Sequence, residues 1–223
     1  MLLSYMNNLS NLPKKIPIFP LSNFIFFPNT SVPLNIFEPR YLQMINDSIK
    51  KDKLFGMVQP KSKKKNNSSL NKVELYSIGC IGKIINFSKT EDGRIVLVLK
   101  GISRFKINSE LVSKKLYREF NVSYNEFLND TKLDEEGKKF LDIEEIFENL
   151  KKLFKKKGYL LNWDQIKKQS LEQTINTFCM ISPFSLEEKQ MLWETRNIEE
   201  RKHKLKEIIS TCLIDNFEIS TIQ

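Results

Sequence analysis

The segment from Lys14 to Tyr41 reads KKIPIFPLSNFIFFPNTSVPLNIFEPRY, and it decides the first part of the fold. Isoleucine and phenylalanine dominate it, and a proline falls every few residues. Proline cannot donate to a strand ladder, so we expect strand ends, edges or bulges at Pro17, Pro20, Pro28 and Pro33. The part from Lys14 to Phe37 is therefore predicted to form short strands joined by turns rather than a flat central sheet.

One helix and several more strands are predicted to follow. Pro39 suits the first turn of a helix, and apolar residues then recur at helical spacing, at Tyr41, Leu42, Ile45 and Ile49. Strand patterns continue at residues 54–59, 73–87, 95–99, 104–107 and 117–127, with a bulge or bend marked by Gly79 and Gly82. The polar, basic run 60–72 is predicted to be an exposed, mobile loop. Short strands at this spacing indicate a barrel or a sandwich.

The periodicity changes from two to 3.6 after Asn129, which indicates a helical region. One helical face carries large apolar residues, namely Phe140, Ile143, Phe147, Leu150 and Phe154. Asn162 and Ser185 are predicted N-caps, the second completed by Glu188 as a capping box, and Pro183 separates the two helices. The chain is predicted to consist of a flexible N-terminus, a barrel domain, a helical bundle and a tail, over residues 1–13, 14–128, 129–216 and 217–223.

Motifs for catalysis are missing from the sequence. A P-loop needs a glycine five residues before Gly-Lys, but Ser77 and Lys132 occupy those positions before Gly82-Lys83 and Gly137-Lys138. Neither GxGxxG nor GxSxG occurs, and the single histidine, His203, lies in a charged run typical of a solvated helix face. We therefore predict a protein that is not an enzyme, with no catalytic, cofactor-binding or metal-binding residues and no cofactor.

The net charge and the cysteine content limit which partners and which cellular compartment are expected. The net charge of +9 suits RNA, but only six of the 36 basic residues are arginine, the side chain favoured for bidentate phosphate contacts. Apolar surroundings predict reduced, buried thiols for Cys80, Cys179 and Cys212. No apolar run is long enough for a membrane span and no secretory signal is recognisable, so the protein is expected in the cytoplasm, away from membranes.

Six stretches, in this order and spacing, resemble the N-terminal domain of the ATP-dependent Lon proteases. They are IPIFPL (16–21), FFPNTSVPLNIFEPRY (26–41), LFGMVQP (54–60), IGCIGKI (78–84), DGRIVLVLKGISRF (92–105) and MISPFSLEEKQMLWE (180–194). The resemblance implies an α+β fold, with an N-terminal PUA-like β pseudo-barrel carrying one helix and a C-terminal α-helical bundle. It also implies a substrate-binding role.

The ATPase and serine-lysine peptidase modules of the protease have no counterpart in these 223 residues, which indicates a free-standing member of the family. The expected partners are unfolded or damaged protein segments, or a partner protein such as a protease, for which the chain would act as an adaptor in proteolysis or quality control. Binding of RNA by the PUA-like barrel is the alternative. The oligomeric state stays open.

Seven residues are candidates for binding or for locking the scaffold: Phe24, Phe26, Phe27, Glu38, Arg40, Arg94 and Arg104. The three phenylalanines would lie on both faces of one strand, so at least one of them could be exposed to a client. The charged residues would either contact a partner or hold the first helix against the barrel through ion pairs.

Overall fold

The computed structural model describes residues 11–61, 73–131 and 143–218. Contacts divide the chain into two compact units, Met1–Lys132 and Leu133–Gln223. The first unit is a sheet with one helix and the second is helical, which confirms the predicted α+β class. Most of the predicted mobile loop, residues 62–72, lies outside the described residues, as do residues 1–10 of the predicted flexible N-terminus and 219–223 of the predicted tail.

The described residues of the first unit, which we call the barrel unit, form six strands and one α-helix. The strands are β1 (Lys15–Pro20), β2 (Ser31–Ile36), β3 (Leu54–Pro60), β4 (Leu75–Lys89), β5 (Ile95–Leu111) and β6 (Arg118–Ser123), and helix α1 spans Pro39–Ile49. Pro39 occupies the start of α1, as the sequence predicts. The strand predicted for 117–127 ends at Ser123, because Asn125–Thr131 turn into 3-10 geometry.

The sheet closes on itself. Its strand order is β2-β5-β4-β3-β1-β6, and β6 pairs again with the second half of β5. All neighbours are antiparallel except β1 and β3, which run parallel. β5 is 17 residues long and pairs with β2, β4 and β6. Its pairing with β4 shifts register between Ile81 and Gly82, which is the mark of a bulge. The bulge or bend predicted at Gly82 is therefore confirmed at that glycine.

Apolar side chains from both ends of the barrel sequence share one core. Ile16 and Ile18 of β1 meet Phe105 of β5 and Phe120 of β6 there. Leu12, which the sequence analysis assigned to the flexible N-terminus, is also buried in this core, at 4% exposure. The carbonyl of Pro13 accepts a hydrogen bond from the Tyr124 hydroxyl at 2.8 Å, so this end of the chain is held in place.

Over residues 143–218, the second unit, which we call the helical unit, contains five helices: α2 (Ile143–Lys156), α3 (Trp163–Lys167), α4 (Leu171–Ile181), α5 (Leu186–Glu194) and α6 (Ile198–Glu218). Asn162 and Ser185 cap α3 and α5 as predicted, and Glu188 completes the second capping box. A further capping box, Ser170 with Gln173, begins α4. The prediction of one helix from Asn162 up to Pro183 is therefore wrong, because the Ser170 side chain caps the start of a second helix within that range.

Candidate protein-binding surface

The three candidate phenylalanines lie in an irregular loop between β1 and β2, not in a strand. Phe26 and Phe27 are completely buried and Phe24 is half-buried. The Thr30 hydroxyl accepts from the Phe27 amide at 3.0 Å and donates to its carbonyl at 2.6 Å. Thr30 also accepts from the Gly101 amide through its own carbonyl, and a Cβ on Gly101 would stand 2.1 Å from the Phe27 oxygen. Phe26 and Phe27 thus belong to the scaffold.

Two of the candidate ion pairs are exposed and local. Arg40 pairs with Glu38 at 2.8 Å across the start of α1, and Arg94 pairs with Asp92 at 2.6 Å inside the β4–β5 turn. Each of these side chains is 44% to 54% exposed, so the pairs add little stability and do not hold α1 against the sheet. Tyr41 does that, because its buried ring meets Phe19 edge-on at 4.5 Å.

Arg104 is a buried structural lock. Its guanidinium donates to both oxygens of Asp130, from Nε at 2.9 Å and from an Nη at 2.7 Å, and its backbone amide adds a bond of 2.8 Å to the same carboxylate. Phe127 covers the guanidinium at 4.3 Å. Charge-assisted, bidentate bonds of this kind are among the strongest polar contacts in proteins. The pair fastens the 3-10 segment to β5, so Arg104 is placed to hold the scaffold.

An apolar patch that the sequence analysis did not identify lies on the outside of the barrel unit. We call it the outer patch; its members are Pro33, Phe37, Ile85, Val96 and Val98. Exposure reaches 64% for Phe37, 45% for Ile85 and 40% for Val96. The β2–β5 register sets Val98 opposite Pro33 and Val96 opposite Asn35, and Phe37 directly follows β2, one residue beyond the Ile36–Ile95 pair. Isolated apolar residues on a surface are ordinary, but a set carried on adjacent strands and the loop beside them indicates an interaction surface.

A signal for the outer patch is present in the sequence. A strand with one buried face alternates apolar and polar residues, whereas Ile95–Leu99 is apolar at every position. Ile95, Leu97 and Leu99 are buried, and the residues between them point outward. A continuous apolar run on a strand with one solvent-facing side therefore marks apolar side chains on the outer face.

The outer edge of β2 offers few hydrogen bonds to a partner strand. Within the described sheet, β2 stands at one end of the strand order. The Thr30 carbonyl accepts a hydrogen bond from the Gly101 amide, so this carbonyl points toward β5. Along an antiparallel strand this direction alternates from one residue to the next, so the backbone groups of Pro33, three residues later, point away from β5. Pro33 has no N–H at that edge, which is a common protection against sheet extension. The outer patch is therefore suited to contacts through side chains.

A basic stripe that would favour RNA, formed by the lysines between positions 61 and 65 together with Lys83, is only partly described. Lys63, Lys64 and Lys65 lie outside the described residues. Lys61 forms an ion pair with Glu74 at 2.9 Å, and Lys83 is half-buried. Lys61 and Lys83 are therefore the lysines of this stripe whose surroundings the structure describes.

The cysteines differ in burial. Cys80 and Cys179 are buried as predicted, whereas Cys212 is only half-buried. Burial raises the pKa of the Cys179 thiol to about 12, against a smaller opposing effect of the Arg201 charge, so this thiol stays protonated at neutral pH. A protonated, enclosed thiol is a poor nucleophile and metal ligand.

The described segments contain neither a membrane-spanning helix nor a cluster of metal ligands. No helix within 11–61, 73–131 and 143–218 combines the length and the hydropathy needed to cross a membrane. Over those same ranges, no group of three or more His, Cys, Asp or Glu side chains is arranged to hold a metal ion.

Comparison with known proteins identifies the family. The family described as the ATP-dependent protease La (LON) substrate-binding domain matches residues 15–211. The Lon protease of Parabacteroides distasonis is 28% identical over 202 residues, which cover 87% of this chain and 24% of that protein. The Lon protease of Buchnera aphidicola is 28% identical over 200 residues, covering 88% of this chain and 25% of that protein. The chain thus spans about a quarter of the length of these two relatives.

Solved structures show the same fold. A Lon N-terminal domain protein from Xanthomonas campestris superposes with a TM-score of 0.59 at 18% identity, covering 89% of this chain and 98% of that one. The N-terminal domain of the Mycobacterium avium complex Lon protease gives 0.59 at 16% identity, covering 88% and 98%. The fold of this chain is therefore that of the Lon N-terminal domain. The chain belongs to the LON substrate-binding domain family.

Proposed function

We propose that this protein is a non-catalytic recognition module that binds extended, unfolded protein segments on the outer patch and presents them to a separate protease. The observation that carries the proposal is the exposure of Ile85 on β4, of Val96 on the adjacent β5, and of Phe37 just beyond the end of β2. Membership of a substrate-binding family supports it. The relatives that match are named as proteases, and a module that delivers clients to such an enzyme is consistent with that association.

The chemistry of the outer patch suits unfolded clients. Unfolded chains expose apolar side chains that a folded protein buries, and removing apolar surface from water is favourable by about 25 cal/mol per Å². A patch of five side chains without a deep pocket gives weak and tolerant binding, which lets many sequences bind and be released. The net charge of +9 adds attraction toward acidic clients.

A binding measurement tests this proposal. The probe is a fluorescently labelled protein kept unfolded by reduction and carboxymethylation, and its anisotropy is followed while the purified chain is added. Combined substitution of Phe37→Ser and Val96→Ser is expected to weaken binding about tenfold, because two apolar anchors are lost. Val112→Ser is the matched control, since Val112 is fully exposed just after the opposite end of β5.

The RNA alternative enters the same experiment as a second probe. A labelled single-stranded RNA is titrated at low and at raised salt, where contacts to phosphates weaken steeply. Tight, salt-sensitive RNA binding together with no binding of the unfolded protein would overturn the proposal. The delivery step is tested by adding the chain to a Lon protease and measuring whether it accelerates degradation of the same unfolded client, and whether the doubly substituted variant fails to do so.

A further inference from the structure

A small polar cleft lies at the C-terminal end of α1, against the beginnings of β1 and β6. Its volume is about 150 Å³, and its polar lining includes Lys15, Asp47, Ser48, Tyr117 and Glu119, all in the barrel unit. At about 30 Å³ for each water molecule, this space holds about five waters, well below the size of a pocket for a drug-sized ligand. The cleft therefore fits a group as large as one side chain.

Ser48 supplies an unusual polar atom in this cleft. It continues the buried face of α1 formed by Tyr41, Met44 and Ile45, where an apolar residue would be expected. Its side chain is 4% exposed, and its Oγ has no hydrogen-bond partner within the described part of the chain. Leaving a buried hydroxyl without a partner is costly, so this position favours a ligand that bonds to it.

Glu119 brings a buried negative charge to the same place. It is 5% exposed, and Lys115 reaches its Oε1 at 3.0 Å. Lys15 approaches Oε2 only to 3.7 Å, which is longer than a hydrogen bond, from a side chain that is 58% exposed. Oε2 can therefore accept a hydrogen bond from a positively charged group inside the cleft.

Asp47 lines the cleft, and its carboxylate can accept more hydrogen bonds than the one that Tyr117 donates. The Tyr117 hydroxyl donates to its Oδ2 at 2.9 Å. Burial raises the pKa of Tyr117, against a smaller opposing effect of Lys115 and with a further contribution from the Asp47 carboxylate, so the hydroxyl remains a donor at neutral pH. A carboxylate accepts about four hydrogen bonds, which leaves Asp47 able to bind a further donor.

The remaining lining residues complete the chemistry. Pro13, Ile16, Pro17 and Leu54 give the cleft apolar walls. Three carboxylates and two lysines line it, and Lys51, like Lys15, is exposed. Long lysine stems keep their charges in water, whereas Glu119 cannot leave the interior. Apolar walls that lead to fixed acceptors match an alkyl stem ending in a positive charge.

We infer that this cleft binds a primary ammonium group on an apolar stem, supplied by a lysine side chain of a bound polypeptide. The ammonium donates to Glu119 Oε2, Asp47 and Ser48 Oγ, and the stem lies against the apolar walls. The assignment of the source to a polypeptide rests on the proposed function. The cleft and the outer patch share no residues, so each can be tested while the other is intact.

Titration followed by NMR chemical shifts tests the cleft with n-butylammonium chloride and with a blocked Gly-Lys-Gly peptide. Both are expected to shift signals of residues lining the cleft, and the peptide containing Nε-acetyl-lysine, which lacks the charge, is not. Weaker binding of the lysine peptide than of n-butylammonium would overturn the polypeptide source. Equal binding of the acetylated peptide would overturn the ammonium site itself.

Two variants separate binding from folding. Glu119→Gln is expected to weaken ammonium binding about tenfold, because a charge-assisted bond is lost. Ser48→Ala should weaken it severalfold while keeping or raising the unfolding temperature, since alanine favours helices and no protein partner of the hydroxyl is lost. Unchanged affinity in both variants would refute the site. The variant carrying Phe37→Ser and Val96→Ser should bind n-butylammonium normally, so failure of the outer patch is distinguishable from failure of the cleft.

Discussion

The barrel unit and the helical unit each bury one arginine, and they stabilise it differently. Arg104 is 1% exposed and forms its bidentate pair with the Asp130 carboxylate. Arg201 is 2% exposed and donates to neutral oxygens, the Asn176 amide at 2.7 Å and the Thr195 hydroxyl at 3.2 Å. In both units the arginine connects segments about 25 residues apart in sequence. The two sets of contacts predict different consequences when one partner is removed, because the loss of a carboxylate leaves a buried charge unpaired, whereas the loss of a neutral acceptor removes a single hydrogen bond.

The sharpest test of this difference removes the carboxylate of the barrel unit. Asp130→Ala leaves the Arg104 charge buried without its carboxylate, and we expect the free energy of unfolding to fall by about 3–5 kcal/mol. Urea unfolding followed by far-ultraviolet circular dichroism gives this value. Replacing the pair with apolar residues, Arg104→Met with Asp130→Leu, should recover most of the loss. A fall below about 1 kcal/mol in Asp130→Ala would mean that the pair contributes little beyond a surface ion pair.

A smaller effect is expected from the arginine of the helical unit. Arg201→Met removes the charge itself and the hydrogen bonds to Asn176 and Thr195, so the expected loss is about 1–3 kcal/mol. Both tryptophans lie in the helical unit, at positions 163 and 193, so fluorescence reports its unfolding. Exposed Arg196→Met is the matched control. A loss as large as that of Asp130→Ala would erase the distinction between the two arginines.

The smallest effect concerns local contacts of the helical unit. Ser170→Ala breaks the capping box that begins α4, which should cost about 1 kcal/mol of unfolding free energy. The measurement is again urea unfolding followed by tryptophan fluorescence. Exposed Ser210→Ala, near the middle of α6, serves as the control and should change the value by less than about 0.5 kcal/mol. If the two variants have the same free energy of unfolding, the cap at Ser170 adds no stability.

Local features of the fold followed from the sequence, and features set by distant contacts did not. Pro39 and Ser185 start helices through bonds and dihedral preferences within a few residues, so their roles were predictable. The segment around Phe27 has the composition of a strand but is held as a loop by Thr30 and by Gly101, some 70 residues later. Tertiary contacts of that kind override the local preference for strand.

The candidate site shows the same limit. Arg104 was recognisable as a residue that needs a partner, but nothing near it in sequence identifies Asp130, which lies 26 residues away. The exposure of Phe37 and Val96 depends on the β2–β5 register. The cleft at Ser48 and Glu119 joins residues about 70 positions apart, so it becomes visible only once α1 and β6 are in place. The roles of the seven sequence candidates in binding stay predictions.

The order of the strands determines when each strand can pair with its partners during synthesis. β1 pairs with β3 along one side and with β6 along the other, so its second partner is not synthesised until residues 118–123. At about 5–20 residues per second, β1 waits roughly 5–20 seconds for β6 on the ribosome. Until then one edge of β1 and the core residues beside it remain open to other chains. A protein proposed to capture unfolded polypeptides is thus, during its own synthesis, a nascent chain of the kind that such proteins bind.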